Sequence, residues 1–263
     1  MTPVLAFDIE TVPDVEGIRR LHGLDGTLAD REVAEMAFQL RRQATGSDFL
    51  PLHLHRIVAI SCALRERDSF RVWSLGTETD GEAVLIQRFF DGVAKYTPQL
   101  VSWNGGGFDL PVLHYRGLVH GVRAGRYWET GDDDREFRYN NYISRYHQRH
   151  LDLMDLLALY QPRANAPLDD LAQLLGLSGK LGLDGSKVWE AFLAGRIADI
   201  RRYCEADVVN TYLVFLRFQL MREVMSAEQH RAECGLVRST LAGSPEPHWK
   251  AFLARWRAPD ARE

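Results

Sequence analysis

Apolar residues in this chain recur at two spacings, every second position or every third to fourth, and the switches between them divide the chain into elements. Residues 4–7 (Val-Leu-Ala-Phe) are an unbroken apolar run that passes into Asp8-Ile9-Glu10-Thr11, the pattern of a buried strand with a polar end. Residues 55–64 are an almost continuous apolar strand and residues 70–75 alternate; the short Arg67-Asp68-Ser69 link predicts a hairpin between them. Pro13 and the glycines of residues 17–26 are expected to interrupt regular structure. Residues 30–42 then place Val33, Met36, Ala37 and Leu40 on one helical face, as an insertion between strands. Residues 81–96 form an amphipathic helix through Val84, Leu85, Phe89, Phe90 and Val93. A short strand (100–103), the loop Asn104-Gly105-Gly106-Gly107-Phe108-Asp109 and a helix (110–119) follow, an α/β signature. Residues 139–150 are irregular, and 150–157 resume as a strand end or a helix. The rest is helical in pattern: 168–175, 188–193, a long helix over about 196–221, and, after Ser244-Pro245-Glu246-Pro247, a short helix with Trp249, Phe252 and Trp256.

Composition narrows the class. With 263 residues, 46% hydrophobic and 26% charged, the chain can bury a full core as one large or two small soluble domains. The absence of an apolar run near 18 residues, and of a charged-then-apolar leader, predicts neither a membrane span nor a secretory signal, hence a cytoplasmic protein. Cys62, Cys204 and Cys234 form no C-x-x-C pair, which argues against a disulfide framework and a thiolate zinc site. A formal net charge of −4 gives no global footprint for nucleic acid, yet an enzyme with a carboxylate-lined metal site needs only local basic contacts.

The strand end at Asp8 and Glu10 is the first candidate for chemistry. Strand side chains alternate, so the two carboxylates project on one side with Cα atoms roughly 6–7 Å apart, while Ile9 points into the core. Acids held that close repel unless a proton or a cation lies between them, and hard oxygen donors suit Mg²⁺ or Mn²⁺. The same D-x-E triplet occurs at Asp14/Glu16, Asp30/Glu32, Asp80/Glu82 and Asp134/Glu136, in polar or turn-like surroundings where a solvated surface pair is expected.

Two further stretches single the first pair out. Asp109 stands at a helix start beyond a strand end, where ligands of open α/β sheets bind. Tyr203 and Asp207 are four apart on a helix and so face the same way. Together, Phe7-Asp8-Ile9-Glu10, Asn104-x-x-x-Phe108-Asp109 and Tyr203-x-x-x-Asp207 resemble the three exonuclease motifs of the DEDD superfamily, the tyrosine marking its DEDDy branch. The first two motifs look most like those of the proofreading domain of family B DNA polymerases. The run Gly179-Lys180-Leu181-Gly182-Leu183-Asp184-Gly185-Ser186-Lys187-Val188-Trp189 resembles stand-alone bacterial predicted 3′-5′ exonucleases related to that domain.

The resemblance implies an α/β, RNase H-like exonuclease fold with a central mixed five-stranded sheet flanked by helices. Residues 1–220 would form the exonuclease domain and residues 221–263 a helical C-terminal extension packed on it. The implied activity is removal of nucleotides from the 3′ end of single-stranded nucleic acid, DNA favoured, with two divalent ions, Mg²⁺ or Mn²⁺. Asp8 would bridge both ions, Glu10 and Asp207 would help hold the water-activating one, Asp109 would support the leaving-group ion, and Tyr203 would orient the water. Thr11, Asn104 and Phe108 are candidate nucleotide contacts, although Phe108 is equally a core residue. Arg145, in the cationic and aromatic segment 138–150, and Lys187 are candidate strand contacts; a solvated loop explains the same composition. Asp152 and Asp155 line the site or start a surface helix. RNA or oligonucleotide trimming, or a non-catalytic nucleic-acid-binding module, are the alternatives.

Overall fold

In the computed structural model, residues 2–257 are described; the last residues of the expected C-terminal extension, 258–263, lie outside them. The first strand, β1 (Val4–Pro13), is central. It pairs antiparallel with β2 (His55–Glu66), which turns through Arg67 and Asp68 into β3 (Ser69–Ser74). On its other side β1 pairs parallel with β4 (Gln99–Ser102), and β4 with β5 (His150–Asp152). The result is a mixed five-stranded sheet in the order β3-β2-β1-β4-β5, flanked by helices, the architecture of the RNase H-like exonuclease fold.

Between β1 and β2 lie two helices, α1 (Val15–His22) and α2 (Asp30–Thr45), where the glycine-based reading expected one helix preceded by irregular chain. Gly17 does not break α1. A Cβ there would lie 2.3 Å from an Asp14 carboxylate oxygen, so the glycine leaves room for that acid. Helix α3 (Glu82–Tyr96) precedes β4, and α4 (Asp109–His120) follows it. Residues 150–157 are both expected forms at once, β5 and then α5 (Leu153–Leu157). Next come α6 (Leu168–Leu174), α7 (Val188–Leu193) and α8 (Ile197–Met221). Helix α9 (Ala227–Ala242), which the apolar pattern does not separate out, is announced by the capping box of Ser226 and Gln229; α10 (His248–Arg255) follows.

The two faces of the sheet bury different sets. Leu5, Phe7 and Ile9 of β1 pack with Ile86, Phe89, Leu110 and Leu113 of α3 and α4. Ala6, Ala63 and Val101 pack on the opposite side with α8 and with Val237, Trp249 and Phe252 of α9 and α10. Small residues on both surfaces, Ala6, Ala63 and Ala206, allow α8 to run close across the sheet. All three cysteines are free and buried. Among the described residues no helix is long and apolar enough to cross a membrane.

Candidate active site

Alternation along β1 sends its acids toward α8. Ala6 already faces that helix and Ile9 faces away, so Asp8 and Glu10 project on the α8 side. A register shift between Glu10 and Thr11 ends the regular ladder just past the pair. On α8, the Sγ of Cys204 lies 3.4 Å from both the backbone oxygen and Oδ2 of Asp8. Tyr203 and Asp207, one turn apart on the same helix, are both buried, and the phenol and the carboxylate act on each other's protonation.

Asp109 arrives from the other side of β1. The loop after β4 is tight: a Cβ on Gly105 would lie 2.3 Å from Ser102 Oγ, so the backbone passes where only glycine fits. Asn104 takes a left-handed φ of 63°, a conformation asparagine tolerates, and its carbonyl accepts the N–H groups of Gly107 and Phe108. Asp152 anchors this loop, accepting N–H bonds from Asn104 (2.9 Å) and Gly106 (2.8 Å). Helix α4 then opens on Asp109, whose Oδ1 accepts the Ile9 N–H at 3.1 Å, across the end of β1.

The four acids lie close enough to act on one another's charge. Burial raises the Asp8 carboxyl well above its ordinary value, and the charges of Asp109 and Asp207 raise it further. Glu10 is raised in the same way by burial and then by Asp8, Asp207 and Asp109, with Lys180 opposing. Burial lifts Asp109 to about 7 against the Ile9 hydrogen bond, and lifts Asp207 to about 6 against Tyr203 and Lys180. Burial and the charges of Asp207, Glu10 and Asp8 drive Tyr203 far above the phenol range, which makes it a donor rather than a base. Asp8, Glu10 and Cys204 offer ligand atoms within 4.8 Å of one another. A mainly carboxylate donor set, crowded and short of cations, fits hard divalent ions.

The other candidates fall in separate places. Thr11 Oγ1 is 2.9 Å from His55 Nδ1, and the His55 ring meets Phe108 edge-on at 5.2 Å. Phe49, 54% exposed, lies 5.8 Å from Phe108 and completes an aromatic group that also leans on the core. Arg145 pairs with Asp155 at 3.0 Å on the β5 side, and Lys187 is exposed and paired with Asp184 at 3.3 Å. The lysine whose charge reaches Glu10 and Asp207 is Lys180. Lys180, Cys204, His55 and Phe49 were not singled out in the sequence. Cys204 carried a signal, since it lies between Tyr203 and Asp207, whereas His55 and Phe49 carried none, because their place depends on the β1–β2 register.

The surface-pair expectation is overturned for one acid in each of two D-x-E triplets, Asp80/Glu82 and Asp14/Glu16. Glu82 and Asp14 are no solvated surface acids: Glu82 is 6% exposed and bound by the buried Arg116, which also pairs with Asp14.

No curated protein gives a significant match to the chain. A family model matches residues 47–256, starting after the strand of Asp8 and Glu10 and including Asp109, Tyr203 and Asp207. With most of the chain matched, this protein belongs to the family of predicted 3′-5′ exonucleases related to the exonuclease domain of PolB.

Proposed function

We propose that this chain is a DEDDy-type exonuclease that removes nucleoside monophosphates from the 3′ end of single-stranded nucleic acid, DNA in preference to RNA, with two Mg²⁺ or Mn²⁺ ions. The observation that carries the reading is the convergence of Asp8, half-buried, with Glu10, Asp109 and Asp207, buried, all four raised and with no arginine or lysine in an ion pair with any of them among the described residues. Four such acids only destabilise a fold unless a cation compensates them. The relation to a DNA polymerase domain favours DNA. Residues 1–220 act as the catalytic domain and the chain from residue 221 as an extension, supported by the packing of α9 and α10 on α8.

Asp8, Glu10, Asp109 and Asp207 would hold the ions. When bound, these supply a water of lowered pKa, neutralise charge on the phosphate and stabilise the leaving 3′ oxygen. The chain does the positioning. The Ile9 N–H fixes Asp109, and the Cys204 thiol lies against Asp8. Tyr203 is held protonated and bonded to Asp207; once that carboxylate binds an ion, the Tyr203 hydroxyl turns to donate the hydrogen bond that orients the attacking water. Phe108, with His55 and Phe49 behind it, presents an aromatic surface to the terminal base.

The test uses 5′-labelled and 3′-labelled single strands, DNA and RNA, with Mg²⁺, Mn²⁺ or EDTA. The expected result is stepwise shortening from the 3′ end, labelled mononucleotide from the 3′-labelled strand only, and no product with EDTA or Asp8→Ala. Equal product from Asp8→Ala, or none with either metal, overturns the reading.

A further inference from the structure

A cleft of about 260 Å³ opens beside the glycine loop, lined by Gly106, Arg145, Tyr146, Tyr160, Phe218 and Arg222 among others. We propose that it binds the nucleotides 5′ of the scissile bond, as a single-strand subsite built from aromatic faces and guanidinium groups. The occupant rests on the nuclease reading above.

Position supports the assignment first. Gly106 and Asp152 line the cleft, and Asp152 holds the loop that leads to Asp109, so the two sites share a wall. Helix α8 joins them as well: Asp207 faces the acids, and Arg222, just beyond the last turn, borders the cleft fifteen residues on. At ~1.5 Å per residue that is roughly 22 Å, the length of about six stacked nucleotides at ~3.4 Å each.

Chemistry supports it second. Arg145 lies 4.5 Å over the Tyr160 ring, Tyr146 meets Tyr160 edge-on at 5.6 Å, and Arg222 lies 5.1 Å over Phe218. Tyr146 is 76% exposed, so packing does not account for it. Tyr160 and Phe218 are half-buried with an arginine over each ring, so Tyr146 is the open stacking face and the guanidinium planes of Arg145 and Arg222 are the others. Exposed rings and guanidinium planes side by side stack bases without regard to sequence and attract the backbone.

The acids of the cleft are already engaged. The Asp152 carboxylate accepts the N–H groups of Asn104, Gly106 and Asp155, and Asp155 pairs with Arg145. His147 accepts the Asn141 N–H on Nδ1 at 3.0 Å, which puts the proton of its neutral ring on Nε2, a donor for a phosphate oxygen. Arg222 adds the charge.

Fluorescence anisotropy of 5′-fluorescein oligothymidylates of two, six and twelve nucleotides, with the full chain in EDTA, tests this without any cleavage. The hexamer should bind at least about tenfold more tightly than the dimer, and the dodecamer within about threefold of the hexamer. The double variant Tyr146→Ala/Arg222→Ala, both exposed positions, should remove the gain while its circular dichroism and melting stay those of the wild type; Arg222→Glu alone should weaken the hexamer more than the dimer. No gain from dimer to hexamer, a gain that survives in both variants, or displacement of the hexamer by millimolar inorganic phosphate overturns the proposal. Because binding is read without metal, a chain that shows the gain but releases no nucleotide loses only the nuclease reading, and one that cleaves without the gain loses only the cleft.

Discussion

Two groups of buried and half-buried acids lie in this fold, and they are neutralised in opposite ways. On the face covered by α3 and α4, Glu82 accepts Arg116 Nε at 2.8 Å and Nη2 at 2.6 Å, the Ile57 N–H at 2.7 Å, and lies 2.6 Å from His120 Nε2. Arg116, 3% exposed, carries Asp14 as well. At the end of β1, Asp8, Glu10 and Asp207 on the α8 side and Asp109 from the start of α4 have a weak thiol, a backbone N–H, a phenol and the charge of Lys180. The first group ties α3 and α4 to β2 and is complete in itself. The second is a carboxylate cluster with no paired arginine or lysine among the described residues, and that asymmetry separates a structural cluster from a candidate metal centre.

The largest expected effect breaks the complete cluster. Arg116→Ala strands Glu82 and Asp14 without their cation and should lower unfolding free energy by about 3–5 kcal/mol in urea melts. A loss below about 1 kcal/mol would mean that the cluster does not hold the helices to the sheet.

The same operation on the other cluster should have the opposite sign. Asp207→Asn removes a carboxyl held at about 6 instead of its ordinary 3.8 and should stabilise the metal-free protein at pH 8 by roughly 2–3 kcal/mol at ~1.36 kcal/mol per unit, as an upper figure. Hydrolysis should disappear in the same variant. Destabilisation instead would show that Asp207 is a structural acid.

Linkage predicts a smaller, pH-dependent effect. Asp207 and Asp109, raised to about 6 and about 7 when folded, contribute stability that is full below the unfolded value near 4 and is lost as pH rises through about 6–7. Cation binding displaces those protons, so the gain in melting temperature on adding Mn²⁺ should be about 3–6 °C larger at pH 8 than at pH 5.5, near 1–2 kcal/mol. His114 and His150, which burial holds down to about 4, act the other way below pH 6.5 but equally with and without metal, so they cancel in the difference. A gain independent of pH would remove the carboxylates as the binding groups.

The smallest effect concerns Cys204. Sulfur is a weak donor, so Cys204→Ala should change metal-free stability by less than about 1 kcal/mol and leave Mn²⁺-dependent hydrolysis measurable. A loss above about 2 kcal/mol in the same melts would identify the thiol as the main restraint on Asp8.

Much of this was legible in local spacing. The apolar run before Asp8, the Arg67–Asp68 turn, the glycine loop and the four-residue step from Tyr203 to Asp207 each depend on neighbours in the chain, and each occurs at or near the expected place. What misled was also local. Gly17 counted as a helix breaker because its reason, the Asp14 carboxylate bound for Arg116, lies 102 residues away in sequence from its partner. Glu82 counted as a surface acid because Arg116 is on another helix. The Thr11–His55–Phe108 group depends on strand register and on where α4 begins.

The sequence by itself determined the periods, hence the strands and helices, and within each the face that an acid or a tyrosine occupies, because side-chain direction follows from backbone repeat alone. Tertiary structure decided which of those faces meet. Ala6, Ala63 and Ala206 let α8 cross the sheet closely enough to place Asp207 against Asp8 and Glu10, and the loop packed over Ser102 carries Asp109 to Ile9. It decided equally that Glu82 would find an arginine and that Glu10, among the described residues, would not, since a countercharge is supplied by whatever packs across the contact and is not encoded in the triplet that carries the acid.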